Sequence, residues 1–91
     1  MKDPVFIDAQ YMHSKNPKTF EVPTQKELNN IHADDIVKVC VMGERFWVKI
    51  KWIKGDKIIG IIDNELINEW EHGLNIGDVI TFYKYNIYSI W

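Results

Sequence analysis

From Ile36 onward, apolar and polar side chains alternate with a period of two. Turn dipeptides interrupt the pattern at regular intervals: Gly43-Glu44, Gly55-Asp56, Asp63-Asn64, Gly77-Asp78 and Tyr85-Asn86. This spacing predicts short antiparallel strands over residues 36–42, 45–54, 57–62, 79–84 and 87–90. Upstream the pattern differs. Pro23-Thr24 opens the run TQKE, in which Thr24 and Glu27 have capping-box spacing, and this predicts one short helix at about 24–30. Earlier still, Asp3-Pro4 and Asn16-Pro17 flank the apolar patch Val5-Phe6-Ile7. Proline and asparagine there favour extended or turn backbone, so residues 1–20 read as an N-terminal arm with at most one short strand.

Several short strands joined by tight turns, in a chain too small for a sandwich, hide their edges most economically by curling. The expectation is a mainly β protein: a small SH3-like antiparallel barrel of about five strands with one short helix, in a single domain over 21–91 preceded by the arm. The composition, 46% hydrophobic and 26% charged over 91 residues, fits one globular domain and excludes a disordered chain. Cys40 is the lone cysteine and lies in the apolar run IVKVCVM, which suits a buried thiol and a reducing cytoplasm. No apolar run approaches membrane-spanning length and the first residues lack a secretory pattern, so a cytoplasmic protein without membrane contact is expected.

The net charge of −2 argues against strong general affinity for a nucleic-acid backbone, and so against double-stranded nucleic acid as a partner; single strands stacking on the aromatic, basic barrel face are a further option that the same charge disfavours. Its distribution says more than its sum. Arg45, Lys49, Lys51, Lys54 and Lys57 crowd residues 45–57 against Asp56 alone, whereas residues 63–78 carry Asp63, Glu65, Glu69, Glu71 and Asp78 without a cation.

Within ERFWVKIKW (44–52), alternation sends Phe46, Val48, Ile50 and Trp52 toward the core. Arg45, Trp47, Lys49 and Lys51 go to the opposite face, joined by Ile53. An indole flanked by a guanidinium and ammonium groups can stack on a ring and pair with an anion. Arg45 is the only arginine, so any bidentate anion contact from an arginine must use it. The plainer roles for this face are solubility and protection of a strand edge, with Trp47 packed under the arm; its expected cross-strand neighbours are Lys57 and the acids of 63–71, so intramolecular charge pairing with those acids is another.

The longest connection, DNELINEWEHGLNI (63–76), places Leu66 and Trp70 four residues apart on one face of a possible helical turn. It reads as a lid or recognition element, with Glu65, Glu69 and Trp70 as partner-binding candidates, or as a plug of Leu66, Ile67 and Trp70 over one end of the barrel. Trp91, beside Tyr83, Tyr85 and Tyr88, belongs in the core or in an interface between copies, so a homo-oligomer is expected. His13, His32 and His72 are dispersed, and no hydrolase, phosphate-loop or metal spacing occurs. Asp34-Asp35 suits a turn better than a catalytic carboxylate pair, and an acidic loop around His72 suits solvent better than a metal. The sequence therefore implies no catalytic residue, no metal and no cofactor.

The segments NPKTFEVP (16–23), DIVKVCVMGERFWVKI (35–50), GIIDN (60–64) and IGDVITF (76–82) together resemble the bacterial YegJ-like domains of unknown function (family 2314). The resemblance runs over residues 16–88. It implies the fold and a bacterial or phage setting, and it marks Glu44, Arg45, Trp47, Gly60 and Asn64 as motif positions. The chain departs from the pattern at Asp34-Asp35, at Glu65-Leu66 after Asn64, where no proline follows, and at Ser89-Ile90.

Two functions follow as expectations. The first is a non-enzymatic, oligomeric binding module that holds a small anionic ring-bearing ligand such as a nucleotide, for sequestering or sensing. Its ligand-binding residues are Arg45, Trp47, Lys49 and Lys51, with Glu44 and Asn64 added by the resemblance. The alternative is a protein-interaction module of the immunity or inhibitor type, using the acidic loop 63–72 through Glu65, Glu69 and Trp70, with Trp91 at a second contact.

Overall fold

The computed structural model describes residues 5–15, 22–67 and 72–91. Strands β1 (Ile36–Val41), β2 (Glu44–Lys54), β3 (Lys57–Ile62), β4 (Val79–Tyr83) and β5 (Ser89–Ile90) form one antiparallel sheet in the order β4-β3-β2-β1-β5. Helices α1 (Ala9–Lys15) and α2 (Gln25–Asn29) precede it, and a 3₁₀ turn (Lys84–Asn86) separates β4 from β5. The protein is mainly β, with strands where the alternation predicts them. Its ladder is open, with β4 and β5 at the two edges. No helix among the described residues is long and apolar enough to cross a membrane.

The capping box forms as its spacing requires. The Thr24 hydroxyl oxygen accepts from the Glu27 N–H at 3.2 Å, and the Glu27 carboxylate accepts from the Thr24 N–H at 3.0 Å. These bonds hold the Glu27 carboxyl below its usual range. The first hairpin turns at Met42-Gly43, one residue earlier than expected, with φ of 49° and 83°, as a two-residue type I′ turn needs. Asp34 and Asp35 make a turn: the Asp35 carboxylate accepts from the His32 N–H at 2.9 Å, and Asp34 and Asp35 exchange backbone bonds with Ile50.

The arm departs from its expected extended form. Asp8 accepts from the Tyr11 N–H at 3.0 Å and so caps α1, the short polar side chain supplying one of the partners a helix start lacks. Ala9 is fully buried beside Cys40 and Tyr88, Ile7 donates to the Cys40 carbonyl, and the Phe6 ring lies 5.8 Å from Phe82. The described part of the arm thus packs on the sheet. Asp3-Pro4 and Asn16-Pro17 lie outside the described residues.

One face of the sheet carries the main core: Val37, Val39 and Val41 from β1, Phe46, Val48 and Ile50 from β2, Ile58 and Ile62 from β3, and Ile80 and Phe82 from β4. Leu28 of α2 and Leu66 and Leu74 of the long loop close over it. Trp52 departs from this set, contrary to the period-two expectation, and is 59% exposed. A β-bulge explains it. Ile50 pairs with Gly60 but Trp52 pairs with Ile59, so Lys51 is an extra residue and the alternation inverts after it. Ile53, assigned outward by strict alternation, turns inward instead, opposite Ile58, and packs against the core.

Gly60 faces this core from mid-strand. A Cβ built there would lie 2.5 Å from Cγ1 of Val48 and 2.9 Å from the Lys49 carbonyl oxygen. The strand approaches its neighbour at a spacing only glycine permits. Gly60→Ala should therefore lower stability by about 1–3 kcal/mol through overpacking. Urea denaturation checks this, and a variant as stable as the parent would refute the close approach.

Candidate functional site

The face opposite the core is partly covered. On its β1/β5 side Cys40, Tyr88 and Ala9 form a second apolar cluster, with Ile7 and Val22 packed against it. Burial pushes the Cys40 thiol above its usual range, opposed less strongly by the Gly43 N–H and the Arg45 charge. Arg45, directly across from Cys40 in the ladder, places its guanidinium 4.6 Å from the centre of the Tyr88 ring.

Next along this face lies Trp47, half-buried on β2. Its direct partner on β1 is Lys38, whose Nζ sits 4.6 Å over the indole. β5 runs antiparallel to β1, and its ladder continues through the Trp91 N–H to the Ile36 carbonyl. That brings the Trp91 ring to 5.3 Å from Trp47 at an interplanar angle of 80°. The two indoles, Ile36 and Asp63 line a cavity of about 220 Å³. Lys49, paired with Ile36, borders the corner. Trp91 itself is 82% exposed.

The backbone of Trp47 is clamped from the other side. Its carbonyl accepts from the Asp63 N–H at 2.9 Å, and its N–H donates to the Asn64 side-chain oxygen. The Asn64 amide in turn donates to the Glu65 carbonyl. Both ends of the Asn64 side chain are thus used in holding the corner rather than facing it.

Glu44 is turned to the interior. One carboxylate oxygen accepts from the Ile67 N–H at 2.6 Å, and the other lies 2.9 Å from Nε2 of His72. Nδ1 of the same imidazole accepts from the Leu74 N–H, which places the ring proton on Nε2, aimed at Glu44. This buried pair ties the two ends of the long loop to the start of β2, and Leu66 and Leu74 between them enter the core. Of the expected plug, Leu66 is buried while Ile67 is 83% exposed, because its N–H rather than its side chain is what Glu44 engages.

The structure therefore brings Trp47, Lys49 and Asn64 together and adds Lys38, Ile36, Asp63 and Trp91. Arg45 lies on the same face but over Tyr88. Lys51 sits at the bulge. Glu65 is exposed, while Glu69, Trp70 and Glu71 lie outside the described residues. The cross-strand neighbour of Trp47 is Lys38, not Lys57, which pairs with Lys54 at the far end of the hairpin. Lys38 had a usable signal, since a two-residue turn at Met42-Gly43 sets its register against Trp47. The pairing of Trp91 with Trp47 had none. Among the described residues no three histidine, cysteine or acidic side chains form a metal-binding group. Compared with known proteins, the chain matches no family model, no curated protein and no solved structure.

Two outcomes check this account. Glu44→Gln puts an amide where two N–H groups need an acceptor, and should cost about 1–3 kcal/mol in urea denaturation. Cys40, buried and with its thiol disfavoured from ionising, should react with a thiol reagent at neutral pH only as the protein unfolds. Rapid stoichiometric labelling of the folded protein would contradict its placement.

Proposed function

We propose that this chain is a non-enzymatic binding module that holds a small anionic, ring-bearing ligand, such as a nucleotide, in the corner between Trp47 and Trp91. The observation that carries the reading is two near-perpendicular indoles beside Lys38 and Lys49. The indoles offer a π-face and an edge to a planar ring, and the ammonium groups offer point charges to an anion. The cavity is smaller than the roughly 300 Å³ at which drug-sized pockets begin. It suits the ring alone, with the anionic part lying along the lysines in the open. Asp63, the one carboxylate in the lining, would accept from ring N–H groups, which favours a base with an amino substituent. The rigid backing of Trp47 by Asn64 and Asp63 supports the reading, because a preorganised ring loses little freedom on binding. We also read the curled sheet as a partly open SH3-like barrel akin to the YegJ-like domains, with the motif residues Glu44, Gly60 and Asn64 serving its shape.

A thermal-shift series with purine and pyrimidine nucleotides tests the proposal. Ligand at about tenfold its Kd stabilises the native state by about 1.4 kcal/mol. For a domain of this size that is a rise in Tm of roughly 5–10 °C. Trp47→Ala and Lys38→Ala should each abolish or sharply reduce the shift. If no nucleotide raises the Tm of the folded parent, the proposal fails.

A further inference from the structure

The bulge at Lys51 leaves a second aromatic surface on the open side of the sheet, toward the tip of the β2–β3 hairpin. Trp52 and its partner Ile59 line, with Lys54 and Lys57, a cleft of about 160 Å³. Lys57 pairs on its other side with Tyr83, whose ring stacks on Tyr85 at 5.4 Å and 9°. These rings are accessible, Tyr83 being 39% and Tyr85 44% exposed. The Lys84 N–H donates to the Asp56 carbonyl, which ties the turn after β4 to the hairpin tip. Lys54, Lys57 and Lys84 thus lie by the hairpin tip that carries Asp56, with Lys51 further up the strand at the bulge, and no ion pair to a described residue holds any of them.

We infer that this surface binds single-stranded nucleic acid, with bases stacking on Trp52 and on the Tyr83/Tyr85 pair and phosphates meeting Lys54 and Lys57. Trp52 and Tyr83 lie two strands and two residue positions apart in the ladder, about 12 Å by ordinary sheet spacings. Two successive unstacked nucleotides cover that separation. π-faces alternating with single ammonium groups on an open sheet match a polymer that alternates bases with phosphates. An acidic peptide would engage the ammonium groups and leave the rings idle. A duplex keeps its base faces stacked and out of reach. The inference uses none of the side chains that line the Trp47 corner, so the two readings stand or fall separately.

Fluorescence anisotropy of a labelled oligothymidylate of about twelve nucleotides tests it, read from about 20 to 150 mM KCl. Binding by the parent should weaken with salt. Trp52→Ala should weaken it about tenfold or more, within the range of single base-stacking losses, and Trp52→Phe should restore part of the affinity. Replacing Lys54 and Lys57 together by alanine should flatten the log–log salt slope by about 1.4, at about 0.7 per phosphate contact on a single strand. In the Trp47→Ala background the Trp52-dependent binding and its salt slope should remain. Because Trp52 is exposed, its variants should keep the parent circular dichroism spectrum and Tm. No binding at low salt overturns the inference, as does a folded Trp52→Ala variant with parent affinity. Competition by oligo-glutamate or anionic vesicles as effective as by unlabelled oligonucleotide also overturns it, and would mark a general polyanion surface. Loss of binding in Trp47→Ala but not in Trp52→Ala would overturn it while leaving the corner site in place.

Discussion

The approach of β3 to β2 at Gly60 is the constraint on which the rest of the sheet depends. Val48 and Phe82 occupy the space a side chain at position 60 would need, so the inner face closes around a backbone position rather than around a layer of side chains. Such close packing contributes dispersion contacts that a larger residue would forfeit. Leu28, Leu66 and Leu74 close over the main core on this face. Immediately opposite, β2 absorbs the curvature with its bulge: Ile50 meets Gly60, and one residue pair later Trp52 meets Ile59.

That bulge divides the outer face in two. Before it, Trp47 is held by Lys38, Trp91 and the clamp from Asp63 and Asn64. Beyond it, Trp52 stands exposed among lysines, toward the tyrosine pair. A regular strand would have kept Trp52 inside and left one aromatic centre instead of two. The extra residue therefore decides how much of the aromatic surface faces solvent, and the surface around Trp52 depends on it.

The buried Glu44 carboxylate has a different task. It engages N–H groups on both sides of the loop's middle, alongside Leu66 and Leu74, which enter the core. A carboxylate left without these donors in that position would be costly, and the donors without it equally so. Glu44 fastens the loop from the interior side of β2, and Asn64 fastens the strand through the Trp47 backbone. Neither presents its polar atoms to the open corner, which Ile36, Trp47, Asp63 and Trp91 line.

Strand positions, the capped helix α2, the Asp34-Asp35 turn and the inward set through Ile50 follow from local patterns. Period-two alternation, glycine turns and the Thr24/Glu27 spacing each act within a few residues, where sequence alone determines the outcome. The Asp8 cap of α1 is equally local, but the arm reads as extended from its prolines, and the helix rests on the sheet through Ala9 against Cys40 and Tyr88. The phase change at Lys51, the meeting of Trp47 with Trp91 and the Glu44–His72 pair belong to tertiary structure. A bulge is placed by the fit of one strand against another, here at Gly60. The other two join residues far apart in the chain, whose distance is set only once the sheet has curled and β5 has returned to β1.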